Sequence, residues 1–256
     1  MSASTIRIEV EAGVATLTLT RAARHNAMNA EMIAELTDAA RRLGEDRSVV
    51  AVVLTGEGAS FSAGADLSWM RSQFDATRET RIEAAMTLAR MLKALNELPK
   101  PLIGRINGQA FGGGLGLIAV CDVAVAVDTA RFAFTEVRLG LIPATISPYA
   151  LRRTGEANAR RVFFSGRAFD ANEAVTLGLV ARTASAIELD AAVDREIAPY
   201  RGVDAGAVAL AKRLVLSNTA SLDETALRRT AEQLADCWER PATHAAIAAF
   251  LSKTGG

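Results

Sequence analysis

The chain has 256 residues, half of them hydrophobic, and its 29 Lys and Arg are matched by 29 Asp and Glu. That length suits one large domain whose core needs no staples, and charge neutrality offers no basic face of the kind that gives proteins affinity for nucleic acid. Two cysteines without CxxC spacing and only two histidines argue against a zinc site or a disulfide framework. Residues 1–10 alternate polar and apolar side chains where a signal peptide needs an apolar stretch, and no apolar run reaches the roughly 18 residues that span a bilayer. A soluble, cytoplasmic protein with no membrane partner is expected.

Residues 6–10 and 14–19 alternate with period two around Gly13, which predicts a β-hairpin. Asn29 then offers a helix cap, and Met32, Ile33, Leu36, Ala39, Ala40 and Leu43 follow at helical spacing up to a stop at Gly44. The β-branched run 49–54 predicts a strand buried on both faces. A loop of small residues, 59–65, follows it, then a helix over 79–98 and a buried strand over 102–106. Further strands are expected at 123–127 and 132–134, with helices at 148–153, 156–164 and 171–177. This alternation of strand and helix predicts an α/β fold with parallel strands and right-handed crossovers. Beyond about residue 190 strand signals cease. Helices at 207–216, 222–238 and 242–251 form a tail too small to own a core, so it must pack on the body or on a neighbouring subunit.

Two loops share one physical property. Phe61-Ser62-Ala63-Gly64-Ala65-Asp66 and Asn107-Gly108-Gln109-Ala110-Phe111-Gly112-Gly113-Gly114 both follow parallel strands, where α/β folds place ligands, and both lead into helices. Their small residues expose backbone N–H groups, and two such donors converging on one oxygen form an oxyanion hole. Gly114-x-Gly116-x-x-Ala119 also fits a dinucleotide fingerprint with Glu136 as the ribose acid. The context is wrong for it: the interval from Ile106 to the glycines is too long, and Glu136 lies beyond the next strand.

Several segments resemble the crotonase (enoyl-CoA hydratase/isomerase) family: Ile106-Asn107-Gly108-Gln109-Ala110-Phe111-Gly112-Gly113-Gly114-Leu115-Gly116-Leu117 with Cys121-Asp122, Ala130-Arg131-Phe132, and Glu136-Val137-Arg138-Leu139-Gly140-Leu141-Ile142-Pro143. Arg24-His25-Asn26-Ala27-Met28-Asn29, the 61–66 loop, Gly178-Leu179-Val180 and the closing Ala248-Ala249-Phe250-Leu251 with Lys253 are similar to it as well. The resemblance runs through the chain in the family's order. It implies a spiral core of ββα turns over residues 1–195 and a helical trimerisation region over 196–256, assembled as a homotrimer or a dimer of trimers. It also implies an acyl-CoA thioester as substrate, with coenzyme A part of that substrate and no further cofactor or metal. The enolate would be held by the backbone N–H groups of Ala65 and Gly113. CoA would lie near Arg24, Ala27, Ala63 and Ala65, with Phe250 and Lys253 supplied by a neighbouring subunit. Asp66, Leu67, Trp69, Gly112 and Tyr149 would complete the substrate site.

Hydratases of that family carry two glutamates, and only the second is present, as Glu136. The first position is Gly116. One-carboxylate chemistry, such as Δ3,Δ2 double-bond isomerisation, therefore stands beside hydration, and a non-catalytic acyl-CoA-binding role beside both. A dehalogenase branch also has glycine there, but its nucleophilic Asp would fall at Ala144. Asp66-Leu67-Ser68-Trp69-Met70 and the segment from Glu136 to Tyr149 look most like 3-methylglutaconyl-CoA and isohexenylglutaconyl-CoA hydratases. That likeness favours water addition to a branched 2-enoyl-CoA, with Arg71, Arg78 or Arg138 facing a second substrate carboxylate. Without the resemblance, Glu136 would read as an exposed loop acid or as a salt-bridge partner of Arg131 or Arg138. Asp122 reads as a structural cap and His25 as a surface residue.

Overall fold

The computed structural model describes residues 4–219 and 222–254; the N-terminal residues 1–3 used in the signal-peptide reading and the last two residues of the tail lie outside them. The chain opens with β1 (Ile6–Glu11) and β2 (Val14–Leu19), an antiparallel hairpin turned by Ala12 and Gly13, both at positive φ. Helix α1 (Ala30–Glu45) is capped by the Asn29 side chain, which accepts from Met32 N. It runs past Gly44, the expected stop. Gly44 has no side chain because Pro99 packs against it; a Cβ there would lie 3.0 Å from Pro99 Cδ.

Three ββα turns then follow. The first is β3 (Ala51–Gly56), β4 (Ser60–Ser62), the short helix α2 (Leu67–Ser72) and α3 (Arg78–Asn96). The second is β5 (Leu102–Ile106), β6 (Gln109–Phe111) and α4 (Gly113–Ala119). The third is β7 (Val123–Val127), β8 (Arg131–Ala133), a 3-10 turn at Glu136–Leu139 and α5 (Ser147–Phe163). Each turn contributes its first strand to a six-stranded sheet and its second to a four-stranded sheet, so β3-β5-β7 and β4-β6-β8 lie side by side in parallel. Successive parallel additions to two sheets make the expected spiral. The strands β4 and β6 fall in stretches read as loops, because three residues are too few to show an alternation.

Helix α5 contains Gly155 at φ 72, ψ 158, the break between the two helices expected at 148–153 and 156–164. After it come β9 (Phe169–Asp170), antiparallel to β8, then α6 (Ala171–Thr176), β10 (Arg182–Ala184), parallel to β7, and α7 (Leu189–Ile197). Helix α7 crosses position 195, where the spiral was expected to end, and buries Leu189, Ala192, Val193 and Ile197 in the main core.

The tail comprises α8 (Ala205–Ser217), α9 (Glu224–Trp238) and α10 (Pro241–Thr254). Helix α9 packs on α3 of its own chain through Leu227, Ala231 and Ala235 against Ile82, Ala85, Met86 and Ala89. Helix α10 lies over the Glu136–Leu139 turn, where Thr243 Oγ1 donates to Gly140 O at 3.0 Å. No residue of α8 is buried. Among the described residues no helix is long and apolar enough to cross a membrane.

Candidate active site

The two loops singled out in the sequence meet. A Cβ on Gly64 would lie 3.0 Å from Gly113 N and 2.6 Å from Phe111 O, and Gly64 has φ +88, so only glycine fits this contact. The orientation of the Ala65 N–H follows from its neighbours. Met28 N donates to Gly64 O at 2.7 Å, and Asp66 N donates to Met28 O at 3.0 Å, a parallel bridge between Met28 and Ala65. Gly64 C=O and Ala65 N–H belong to one trans peptide, so the N–H points away from Met28. Gly113 is the first residue of α4, and its N–H has no intrahelical acceptor. Ala65 is exposed and Gly113 half-buried, each between buried neighbours.

Glu136 lies beside this pair. A Cβ on Gly112 would be 3.4 Å from both Glu136 Oε1 and Thr135 Oγ1. Glu136 Oε2 is buried without a hydrogen-bond partner, and among the described residues Glu136 makes no ion pair with Arg131 or Arg138. Burial pushes the carboxyl from an ordinary 4.5 up to about 7, opposed by a hydrogen bond from its own backbone N–H. The carboxyl is therefore poised to exchange a proton near neutrality, as a group that alternates between base and acid requires.

The place of the family's first glutamate is closed. Gly116 is buried, and a Cβ on it would lie 2.4 Å from Ile146 Cγ2 and 3.5 Å from Leu92 Cδ1. Ile146, from the segment entering α5, occupies the direction in which a side chain would leave.

The CoA-side residues are partly gathered. Ala63 N donates to His25 O at 2.8 Å, so the turn carrying Arg24 and Ala27 lies along the loop from Ala63 to Ala65. Arg24 is exposed. Asp66, expected at the substrate, is committed to the fold instead. Its Oδ1 caps α2 by accepting Ser68 N at 2.8 Å, and its Oδ2 pairs with Arg21 at 2.9 Å. Burial alone would raise this carboxyl, but the Arg21 guanidinium and the Ser68 N–H outweigh it and hold it below the ordinary range.

Leu67, Trp69, Phe74, Leu139, Ile142 and Phe250 pack around a small core of Met70, Leu141, Cys237, Trp238, Ile247 and Leu251. Phe250 is half-buried against its own chain, and Lys253 is exposed one turn further along. Tyr149 does not join this group: it is buried in the main core with its hydroxyl unpartnered. Of the cations considered for a second carboxylate, Arg78 is tied to Asp236 and Arg138 packs over Gly166; Arg71 is exposed. Asp122 is structural, accepting from Leu102 N and Lys212 Nζ, each at 2.7 Å. The strand β6 between Ile106 and α4 removes the dinucleotide reading, which needs the strand to enter the glycines directly.

Sequence reasoning missed Arg21 and Asn26. Asn26, at φ 53 and fully buried, donates through Nδ2 to Glu57 O and Ser60 O and ties the Arg24–Ala27 turn to the start of the donor loop. Nothing in its spacing announces that role.

Comparison with known proteins agrees with this geometry. The enoyl-CoA hydratase/isomerase family model matches residues 9–247. A putative enoyl-CoA hydratase of Thermus thermophilus is 35% identical over 237 residues, 91% of this chain and 92% of its own. A 4-chlorobenzoyl coenzyme A dehalogenase of an Arthrobacter species is 38% identical over 191 residues, 73% of this chain and 69% of its own. The crystal structure of a putative enoyl-CoA hydratase from Mycobacterium avium paratuberculosis has a TM-score of 0.87 at 31% identity, covering 97% of this chain and 96% of that one. The chain belongs to the enoyl-CoA hydratase/isomerase family, and its core is the crotonase-type ββα spiral.

Proposed function

We propose that this enzyme adds water to the double bond of a 2-enoyl-CoA, with Glu136 as its single acid and base. The observation that carries the reading is the Glu136 carboxyl, its Oε2 buried and unpartnered, set against Gly112 in the loop that continues into Gly113. The carboxylate takes a proton from water as its oxygen bonds to the β-carbon, and the π electrons move onto the thioester oxygen. The N–H groups of Ala65 and Gly113 hold that developing charge. The proton on Glu136 then passes to the α-carbon, giving a 3-hydroxyacyl-CoA by addition on one face. CoA is bound along Arg24, Ala27 and Ala63, and the acyl chain extends toward Leu67, Trp69 and Phe250.

Within that class the branched, 3-methylglutaconyl-like substrate is the preferred one. Its support is the likeness of the 66–70 and 136–149 segments, with Arg71, exposed on α2, as a candidate cation for the second carboxylate. A homotrimer or dimer of trimers is proposed with it, because the exposed α8 needs a cover.

One observation favours a second reading. Ile146 fills the space of a first carboxylate, and one base suffices to carry a proton between two carbons, so Δ3,Δ2-enoyl-CoA isomerisation uses the same site. The deciding experiment is a panel of crotonyl-, 3-methylcrotonyl-, 3-methylglutaconyl- and 3-enoyl-CoA with wild type and Glu136→Ala. Hydration removes the absorbance of the conjugated thioester, and isomerisation creates it. Neither change with any substrate would leave only acyl-CoA binding, and activity surviving Glu136→Ala would reassign the base.

A further inference from the structure

Arg21 lies one peptide layer behind the donor loop. Its NH1 donates to Ala27 O, and its NH2 is held by Asp66 Oδ2 at 2.9 Å. The contacts continue in a line. Ala27 C=O and Met28 N–H are two ends of one peptide, and Met28 N donates to Gly64 O at 2.7 Å. Gly64 C=O and Ala65 N–H are the two ends of the next. Both peptides are trans, so each N–H points opposite to its own C=O. A cation therefore sits at one end of two hydrogen-bonded peptide groups, and the N–H assigned to the thioester oxygen sits at the other.

We propose that Arg21 is a positioning residue that fixes and polarises the Ala65 N–H through the Ala27–Met28 and Gly64–Ala65 peptides. A positive charge at a carbonyl oxygen draws electron density toward it and leaves the far N–H more positive, and hydrogen bonds in a chain reinforce one another. The same guanidinium fixes the geometry. It spans Ala27 O and Asp66, which flank the two sides of the Met28–Ala65 bridge, so the loop cannot slide against its partner without breaking a contact. Only 20% of the Arg21 side chain is exposed, so water screens the charge little. Arginine suits the task because its planar fork can serve two acceptors in fixed directions, which an ammonium cannot.

The inference rests on Ala65 as a donor to the thioester, and its test separates the two. Bound 4-dimethylaminocinnamoyl-CoA absorbs at longer wavelength as its thioester carbonyl is polarised, and this shift reads the donors directly. In Arg21→Met the shift should fall well below that of wild type. The kcat should drop about tenfold, a part of the ~100- to 1,000-fold attached to losing a whole donor, with KM within about twofold. Arg21→Lys, which keeps the charge but not the fork, should lie between the two and serves alone if the Met variant does not fold. A wild-type-sized shift and kcat in either folded variant would overturn the proposal. A wild-type enzyme giving no shift at all would remove Ala65 as a donor, and the relay with it.

Discussion

At the residue scale, the proposed base Glu136 costs the fold stability at high pH. Between the ordinary carboxyl value of 4.5 and the raised value of about 7, the folded protein holds a proton that the unfolded chain has released. The contribution of this group is thus present in full below pH 4.5 and is lost as pH rises through 7, by up to about 3 kcal/mol. Glu136→Gln should accordingly be more stable than wild type at pH 8 and no more stable at pH 4, as thermal melts at the two pH values will show. Activity should move the other way. Hydration needs the carboxylate, so kcat/KM should rise with pH through about 7, and in Glu136→Gln it should fall by at least about 100-fold at every pH. Glu136 was legible as the one acid in the right motif. Its freedom from Arg131 and Arg138 was not, because whether a loop acid pairs with the cation two residues on depends on which way the 3-10 turn aims each side chain.

At the element scale, the entrance of α5 decides that there is one carboxylate. Gly116→Glu would drive a side chain into Ile146 and bury a charge without a partner, and should cost at least about 3 kcal/mol in urea melts. Adding Ile146→Ala should recover part of that loss by opening the space; no recovery would mean that Leu92 or the helix backbone sets the limit. The contact of α10 with the Glu136–Leu139 turn belongs to the same scale. Gly140 has φ +73, and a Cβ on it would lie 2.6 Å from Thr243 Oγ1 and 2.9 Å from Thr243 Cα. Gly140→Ala should therefore lift α10 from the Glu136–Leu139 turn, at a cost of roughly 1–3 kcal/mol. Limited chymotrypsin digestion should then cut faster after Trp238, which α10 covers, while the spiral survives. Helices α1 and α3 were legible because their apolar periodicity repeats for several turns, and β3 because its β-branched run is continuous. The strands β4, β6 and β9 were not, since two or three residues carry no period and only the neighbouring strand defines them.

At the scale of the whole molecule, the tail divides into helices that have found their partners and one that has not. Helices α9 and α10 cover α3 and the site of their own chain, whereas α8 leaves Leu210, Leu214 and Val215 between 56% and 65% exposed. Such a cluster of large apolar side chains is costly in water, and the proposed assembly would cover it. Leu214→Glu should reduce the sedimentation mass to that of one chain without lowering the melting of the spiral; an unchanged mass would place the subunit contact elsewhere. The order of motifs along the chain determined the family and the spiral, and singled out the two loops and the acid proposed for the site, because those depend on residue type and on neighbours close in sequence. Tertiary structure alone decided that Asp66 is spent on Arg21 and Ser68, that Tyr149 belongs to the core, and that Ile146 closes the space at Gly116. The first and the last depend on groups brought together across 45 and 30 positions of chain, and spacing along a sequence does not reveal which distant side chain will arrive to occupy a hydrogen bond or a void.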